Sequence, residues 1–364
     1  MKIVAVVLAG GLGLRLWPRS TEHKPKQFVH VLGEGTLIQN TVSRLLPFLQ
    51  PADIHVVTTM DIADHVRDQL PMIADTNIML EPFGRNTGPA IALATTLLSE
   101  RCDDDTVIVV LPSDHVVQNV REFHITLDRA CAAASLEDVI VTIGVMPTRA
   151  ETGFGYIQMG DVVPSENPVL RGYVKTVTTF AEKPDLATAQ RFVDAGDFVW
   201  NSGIFVARIG VLRAAIQTHL PDHGPLFHML EKGRERGDGV DALHDIYRQM
   251  RSVSFDIGVM EQADNVRVVE GTFGWSDVGT WDELYRLSMK DGKNNVIEGN
   301  VATLNTTNTL VSGSTGKLIG LVGVDNLIVV ETDSAILICP RGKAEQTRDL
   351  VDFMRRRNIV GRKS

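Results

Sequence analysis

Apolar residues in the first half of the chain follow two alternating patterns. Segments in which they recur every three or four positions predict helices. Between these segments, short and nearly continuous apolar runs predict strands covered on both faces, at 3–8, 54–58, 77–80, 106–111 and 139–143. The alternation of strands and helices predicts an α/β fold built on a doubly wound, mixed but mostly parallel sheet.

Two of the predicted helices carry clear start signals. Thr36 and Gln39 have the spacing of a capping box, and the helix that follows has an apolar face of Ile38, Val42, Leu45 and Leu49. Pro89 occupies the first turn of another helix, which we expect to run to about residue 98.

The pattern changes after Glu151. Glycine-rich, mixed segments at 153–157 and 175–180 predict shorter strands beside the sheet. We also expect a strand to begin after the string 200–205. Helical patterns return at 185–194, 213–219 and 241–251.

From about Lys290 the signals are those of strands, with Asn and Gly at short intervals. This pattern predicts a small all-β unit, either a coiled β-ribbon or a partial β-helix, closed by a helix near 345–356. With 291–294 as the linker, we expect two domains, 1–290 and 291–364.

Composition narrows the choice of ligands and compartment. The formal net charge is −9, so general nucleic-acid binding is not expected, and an anionic ligand needs a local cluster of basic groups. The three cysteines match no zinc or redox spacing, and their odd, sparse count fits a reduced compartment better than a disulfide framework, so we expect a cytoplasmic protein. The apolar run 3–9 is too short to span a bilayer, so no membrane partner is expected.

The strongest motif is the glycine loop 10–13, directly after the first predicted strand. Glycines at such a position let backbone N–H groups approach phosphate oxygens closely. Leu16 stands where a dinucleotide-binding fingerprint needs its third glycine, and the loop has no P-loop spacing. Arg15, Lys24 and Lys26 follow it, which suits a triphosphate better than a dinucleotide. A flexible turn with solvated charges is the alternative.

Two isolated carboxylates suit a metal ion. Asp114 follows the strand 106–111, and Asp277 lies among small residues in the string 274–279. Mg²⁺ favours one or two carboxylates together with phosphate oxygens. Each aspartate has an alternative role as a turn or helix cap.

Other polar strings follow predicted strands. Those at 81–87 and 182–184 offer groups that suit a base edge, a sugar hydroxyl or a phosphate, and Asn201 can bridge hydroxyls. Thr87 has the alternative role of an N-cap. No nucleophile signature stands out, which favours direct displacement at phosphorus.

Together these motifs resemble the sugar-nucleotide pyrophosphorylases, and within them the bacterial mannose-1-phosphate guanylyltransferases (GDP-mannose pyrophosphorylases). The matching strings are 8–18, 25–28, 81–82, 85–87, 111–115, 182–184, 200–205, 255–256, 259–261 and 274–279. The strings 299–300, 325–330 and 333–335 resemble the β-helical tail of that family. Gly88, Arg19 and Ala181 depart from the common Ala, Leu and Val, and the first two leave the nucleotide and sugar preference open.

The resemblance implies a Rossmann-like nucleotidyltransferase with a C-terminal β-helix-like domain, in the monofunctional form that lacks an isomerase domain. It implies the conversion of GTP and mannose 1-phosphate to GDP-mannose and pyrophosphate, with Mg²⁺ as cofactor. The β-stranded tail can supply the interface of a homodimer.

The resemblance also implies roles for individual residues. We expect Arg15 and Lys26 to neutralise the β- and γ-phosphates, and Asp114 and Asp277 to hold Mg²⁺. The backbone around the phosphates would come from Leu8, Ala9, Gly10, Gly11 and Gly13. Lys183 would bind the sugar phosphate. The mannose pocket would use Gly155, Tyr156, Glu182 and Asn201, and the guanine side Glu81, Arg85, Asn86 and Thr87.

Two other functions stay open at this stage. The chain could transfer another nucleotide, or act on another sugar phosphate such as a heptose phosphate. Alternatively, it could be a non-catalytic relative that binds GDP-mannose and regulates a partner. Leu16 disfavours a dehydrogenase.

Overall fold

A nine-stranded sheet is the main feature of this computed structural model, which describes residues 1–11, 13–226, 228, 232, 239–357 and 359. Leu12 of the glycine loop lies outside the described residues. The strands up to residue 276 are β1 (Ile3–Leu8), β2 (Ile54–Thr59), β3 (Ile78–Glu81), β4 (Val107–Pro112), β5 (Val116–Val117), β6 (Ile140–Val145), β7 (Gly155–Val162), β8 (Val174–Glu182), β9 (Phe198–Arg208), β10 (Val266–Gly271) and β11 (Trp275–Ser276). The short strands β5 and β11 pair with each other, outside the large sheet.

The large sheet has the order β3-β2-β1-β4-β9-β6-β10-β8-β7. Strands β1 to β4 are mutually parallel, as are β6 and β10, whereas β8 and β9 are antiparallel to their neighbours. The inner run Val4–Val7 is fully buried, as expected for a strand with both faces covered. The predicted α/β fold with a mixed sheet is confirmed, but the sheet is not mostly parallel: four of its pairings are parallel and five are antiparallel.

One strand prediction is wrong. The string 200–205 does not precede a strand but lies inside β9, which is inserted between β4 and β6. Gly203 has a φ of 69°, and the β6–β9 register shifts between Thr142 and Gly144. These irregularities interrupt the alternation of side chains by which a strand is recognised.

The described residues also form helices. They are α1 (Leu37–Leu45), α2 (Ala63–Gln69), α3 (Thr87–Ser99), α4 (Val120–Leu136), α5 (Leu186–Ala195), α6 (Ile209–His219), α7 (Gly239–Gln249), α8 (Trp281–Leu287) and α9 (Thr347–Arg356). The predicted capping box is confirmed, because the Thr36 N–H donates to Gln39 Oε1 over 2.9 Å. Within the described residues, no helix is both long and apolar enough to cross a membrane.

The chain divides into two compact units. The first contains residues 1–10 and 41–276, and the second contains residues 11–40 and 277–364. The segment 11–40 therefore groups with the C-terminal strands. The sequence-based domain boundary at residue 290 remains a prediction.

The C-terminal strands form stacked parallel ladders. They are β12 (Val296–Glu298), β13 (Val301–Leu304), β14 (Leu310–Gly313), β15 (Ile319–Val322), β16 (Leu327–Glu331) and β17 (Ile336–Pro340). Strands β12, β14 and β16 pair in parallel, as do β13 and β15, and β17 closes the larger ladder antiparallel to β16. Asn294, Asn305, Asn308 and Asn326 adopt positive φ at the turns, which asparagine tolerates better than most residues. The predicted β-helix-like tail is confirmed.

A buried asparagine joins the first turns of these ladders. Asn295 is 1% exposed, and its Nδ2 donates to Thr306 O (3.0 Å) and to Asp291 Oδ2 (3.2 Å). Its Oδ1 accepts a hydrogen bond from the Thr309 N–H (3.1 Å). The side chain thus satisfies backbone groups of two neighbouring turns that have little access to water.

Replacing this asparagine should destabilise the tail. Asn295→Leu keeps the volume but removes the hydrogen bonds to Thr306 O and the Thr309 N–H, so we expect the free energy of unfolding to fall by about 3 kcal/mol. Urea unfolding followed by circular dichroism measures the change. The exposed Asn300→Leu is the control, with an expected change below about 0.5 kcal/mol. Equal urea midpoints for Asn295→Leu and the parent would contradict this role.

Candidate functional site

The first two residues of the predicted phosphate-binding backbone are tied to the sheet. Leu8 O accepts from the Ser113 N–H (3.0 Å), and the Ala9 N–H donates to Val57 O (2.8 Å). Ala9 O accepts from Thr58 Oγ1 (3.1 Å). These bonds fix the end of β1 and therefore the point at which the glycine loop leaves the sheet.

A buried carboxyl group lies beside the first glycine. Glu81, at the end of β3, is 3% exposed, and a Cβ built on Gly10 would lie 3.3 Å from Glu81 Oε2. The Tyr247 hydroxyl lies 3.4 Å from Glu81 Oε1 and 3.3 Å from Pro89 O. Burial raises the pKa of Glu81 to about 7, against a smaller opposing effect of the Tyr247 hydrogen bond. Glu81 therefore exchanges a proton near neutral pH, next to the predicted nucleotide loop.

Arg85 binds the end of a helix. Its Nη1 donates to Met250 O, and its Nη2 donates to Arg248 O over 3.1 Å. Both acceptors lie at the C-terminal end of α7, where carbonyl groups lack partners within the helix. Its guanidinium also lies 5.3 Å from the centroid of the Phe83 ring. These contacts give Arg85 a structural role, and its guanine contact remains a prediction.

Asn86 and Thr87 begin helix α3. Asn86, not Thr87, is the N-cap: it has a φ of 74°, and its Oδ1 accepts from the Thr87 N–H (2.9 Å). Thr87 is the first helical residue, and its hydroxyl oxygen accepts from the Phe255 N–H (2.9 Å). Their guanine contacts also remain predictions.

Asp114 lies just beyond β4, next to an oriented histidine. His115 Nε2 is 3.8 Å from Asp114 Oδ1, and His115 Nδ1 is 3.1 Å from Trp275 Nε1. An indole N–H only donates, so Nδ1 must accept and the imidazole proton is on Nε2, on the side of Asp114. Arg44 Nη2 also holds the backbone by donating to His115 O (2.7 Å).

Three residues predicted for the sugar pocket meet where β7, β8 and β9 adjoin. A Cβ built on Gly155 would lie 2.6 Å from Glu182 Oε2 and 3.4 Å from Asn201 Cβ. No larger residue fits at position 155 without moving the carboxylate. The sheet therefore brings a carboxylate and an amide side chain close to the glycine backbone.

The other two predicted sugar-site residues differ in orientation. Lys183 Nζ donates to Glu182 Oε1, and the Lys183 side chain is 58% exposed. Tyr156 is fully buried, its oxygen accepts from the Glu151 N–H (2.8 Å), and its ring packs 5.4 Å from Phe192. Successive strand residues face opposite sides, so the Tyr156 side chain points away from the Gly155 cluster.

Sequence reasoning assigned no role to Asp256. The structure places it beside Asn201, one of the three residues that meet at Gly155. Asp256 begins a π-helical turn, Asp256–Met260, and its Oδ1 accepts from Asn201 Nδ2 (2.7 Å). Burial and the negative charge of Glu182 raise the pKa of Asp256 to about 6. The sequence signal was the string 255–256, and the structure adds the π-helical turn, a feature frequent at functional sites.

The segment 11–40 of the second unit carries the other predicted glycines, Gly11 and Gly13, and both cations predicted to bind the phosphates, Arg15 and Lys26. Gly13 has a φ of 58°, and a Cβ built on it would lie 2.2 Å from Lys26 Cβ, so only glycine fits. Lys26 is 5% exposed, and its Nζ donates to Asp277 O. Arg15 lies in a short 3₁₀ turn. A Cβ built on Gly11 would meet none of the described atoms within 4 Å.

Asp277 is oriented by a strained loop. Its Oδ1 accepts from the Gly279 N–H (3.1 Å), and the fully buried Val278 between them has a φ of 45°. Positive φ is unfavourable for a β-branched residue, and such strain is common at functional sites.

Asp114 and Asp277 each offer carboxylate oxygens, the type of ligand that hard divalent cations prefer. Asp114 belongs to the first unit and Asp277 to the second. Among the described residues, no group of three or more His, Cys, Asp or Glu side chains could hold a metal ion. Mg²⁺ is often bound by one or two carboxylates together with phosphate oxygens, so a site for it does not need three protein side chains.

Comparison with known proteins identifies the family. Residues 4–294 match the family described as Nucleotidyl transferase. The chain belongs to the nucleotidyl transferase family. Residues 299–354 match the MannoseP isomerase/GMP-like beta-helix domain.

Individual relatives are similar over nearly the whole chain. A mannose-1-phosphate guanylyltransferase of Escherichia coli is 35% identical over 97% of this chain and 74% of its own length. The xanthan biosynthesis protein XanB of Xanthomonas campestris is 37% identical over 96% of this chain and 72% of its own length. A crystal structure from Thermus thermophilus, described as a mannose-1-phosphate geranyltransferase, has a TM-score of 0.84 at 34% identity and covers 98% of this chain and 100% of its own.

These matches confirm the predicted resemblance and the nucleotidyltransferase fold with its β-helix-like tail. They also confirm that the chain is a nucleotidyltransferase. Nucleoside triphosphate and sugar phosphate substrates are consistent with the family, which generally uses a divalent metal ion.

The pKa of Glu81 yields a stability test. Because burial raises this pKa from 4.5 to about 7, the folded chain keeps a proton that the unfolded chain releases in that interval. The free energy of unfolding should therefore fall as pH rises through it. Glu81→Gln cannot release this proton, and its amide oxygen can still accept a hydrogen bond from Tyr247. The free energy of unfolding of the variant minus that of the parent should therefore rise by roughly 3 kcal/mol between pH 4.5 and 8.

Urea unfolding at several pH values measures this difference. The exposed Glu345→Gln is the matched control and should keep a nearly constant difference from the parent. A Glu81→Gln difference that does not change with pH would show that Glu81 has no raised pKa.

Proposed function

We propose that the chain transfers GMP from GTP to mannose 1-phosphate, forming GDP-mannose and pyrophosphate. The observation that carries the proposal is the 35% identity, over 97% of the chain, to a relative named for this reaction. The proximity of Glu182 and Asn201 at Gly155 supports it, since a sugar ring needs polar partners for its hydroxyl groups.

The reaction is a direct displacement. An oxygen of mannose 1-phosphate attacks the α-phosphorus of GTP in line with the departing pyrophosphate. The attacking oxygen is already anionic, so the main obstacle is bringing two polyanions together. Positioned positive charge is the effective remedy, because it neutralises charge as the transition state forms.

Arg15 and Lys26 supply that charge on the triphosphate side. Lys26 is suited to neutralising the β- and γ-phosphates because its bond to Asp277 O and its burial against Gly13 fix its position before substrate binds. Fixed charges need little reorganisation during the reaction. Open backbone at Gly11 leaves room for phosphate oxygens.

Mg²⁺ is the proposed metal ion, with Asp114 and Asp277 as its carboxylate ligands. Oxygen donors of this kind suit Mg²⁺, which when bound neutralises phosphate charge as a Lewis acid. The Nε2–H tautomer of His115 keeps a donor on the side of Asp114 and helps to orient its carboxylate.

On the sugar side, Glu182 and Asn201 receive the mannose hydroxyls, with the backbone of Gly155 and Tyr156 completing the pocket. Lys183 binds the sugar phosphate, exchanging its contact with Glu182 for the phosphate charge. Asp256 holds the Asn201 amide in place. The guanine base is assigned to Glu81, Arg85, Asn86 and Thr87.

We further propose that residues 1–290 and 291–364 are the catalytic and β-helix-like domains of a cytoplasmic homodimer. Free cysteines at 102, 131 and 339 suit a reducing compartment. Leu304 and Val322, which pair across β13 and β15, are 60% and 69% exposed, and a second copy of the chain would cover them.

A substrate panel tests the reaction. Purified chain is mixed with each of several nucleoside triphosphates and sugar 1-phosphates, including heptose phosphates, and pyrophosphate release is measured with and without EDTA. We expect release with GTP and mannose 1-phosphate, loss with EDTA, and recovery with added Mg²⁺. Preference for another pair would reassign the substrates, and binding of GDP-mannose without turnover would indicate a regulatory relative.

Removing the buried ammonium tests the charge argument. Lys26→Ala should lower kcat by about a hundredfold, the usual effect of losing one group that stabilises transition-state charge. Steady-state pyrophosphate release gives kcat, and the exposed Lys343→Ala is the control. Turnover of Lys26→Ala within a few-fold of the parent would remove Lys26 from this role.

A further inference from the structure

The segment 14–22, which follows the glycine loop, is bound by C-terminal elements of its own unit. Trp281, at the start of α8, donates from Nε1 to Trp17 O (2.9 Å). Arg355 of α9 pairs with Glu22. The backbone near Arg15 is therefore fixed in part by Trp281, which lies 264 positions after its hydrogen-bond partner Trp17.

Arg19 makes the largest set of these contacts. Its Nη1 donates to His30 O (2.9 Å), within its own segment. Its Nη2 donates to Glu298 Oε2 (2.7 Å) on β12 and to Ser312 Oγ on β14. Ser312 Oγ in turn donates to the same Glu298 oxygen (2.8 Å). One guanidinium thus joins the segment to two successive parallel strands, which a rigid planar group with several donors can do.

The contacts of Arg19 lead directly to the glycine loop. Its neighbour Ser20 is fully buried and donates from Oγ to Gly13 O (2.7 Å). Gly13 packs against Lys26, so a shift of residues 19–20 would move both the glycine turn and the ammonium group. The Arg19 side chain is only 10% exposed, so its guanidinium is largely withdrawn from solvent, whereas the Glu298 side chain is 57% exposed.

We propose that Arg19 is a positioning residue, which holds the nucleotide-binding turn on the β-helical strands so that Arg15 and Lys26 are in place before nucleotide binds. This inference rests on the proposed function for the identity of the nucleotide. A leucine at this position would have no donor for Glu298 or Ser312, so the anchor depends on the guanidinium group. The β-helical strands thereby contribute to nucleotide affinity without touching the nucleotide.

The test measures affinity, turnover and local mobility in four variants of the full chain. Arg19→Leu removes the guanidinium, Arg19→Lys keeps the charge with fewer donors, and Glu298→Gln weakens the acceptor. Arg348→Leu, an exposed arginine of α9, is the matched control. Calorimetry gives the Kd for GTP with Mg²⁺, steady-state kinetics gives KM and kcat, and amide hydrogen exchange reports residues 13–22.

We expect Arg19→Leu to raise the Kd and KM for GTP about tenfold, because binding must then order the turn. Its kcat and its KM for mannose 1-phosphate should stay within about twofold of the parent, and exchange at residues 13–22 should be faster. Arg19→Lys should recover part of the affinity and Glu298→Gln should lose part of it, about threefold each. Arg348→Leu should match the parent in every measurement.

Unchanged GTP affinity and unchanged exchange in both Arg19→Leu and Glu298→Gln would overturn the inference. If Arg19→Leu does not fold, the mild Glu298→Gln variant decides the matter by the same two measurements. A parent chain that binds no nucleoside triphosphate would overturn the proposed function instead. Hydrogen exchange would still show whether Arg19 holds the turn.

Discussion

The buried ammonium group of Lys26 is the feature on which the rest of the proposed site depends. Lys26 packs against Gly13, and its Nζ donates to the backbone of Asp277. The contact joins the glycine loop to a proposed metal ligand, and removing a lysine charge from water is costly unless it is paired. Gly13 is required because any Cβ would occupy the space of the lysine stem. The chemistry proposed here needs that charge, since both substrates are anions.

The side chains proposed to bind the sugar are also held in place by contacts within the protein. The Glu182 carboxylate packs directly against the Gly155 backbone beside Asn201, and Asp256 holds the Asn201 amide. Burial and the negative charge of Glu182 raise the pKa of Asp256 to about 6, so the buried carboxylate is held at a cost that its bond to Asn201 partly offsets.

Much of the fold was predictable because its signals are local. The capping box at Thr36, the strands of the parallel core and the Asn and Gly turns of the tail depend on neighbouring residues alone. The place of β9 was not predictable, because the Gly203 kink and the register shift against β6 hide the strand pattern. Asp256 and Arg19 were also beyond sequence reasoning, since their partners Asn201 and Glu298 are brought near only by the folded chain.

The most direct test of the central claim is a crystal structure of the chain with GTP and Mg²⁺ bound. The account predicts the β- and γ-phosphates against Lys26 and Arg15, the glycine-loop backbone in contact with phosphate oxygens, and the metal ion bound by the carboxylates of Asp114 and Asp277. A triphosphate bound away from Lys26, or a metal ion bound by neither aspartate, would contradict it.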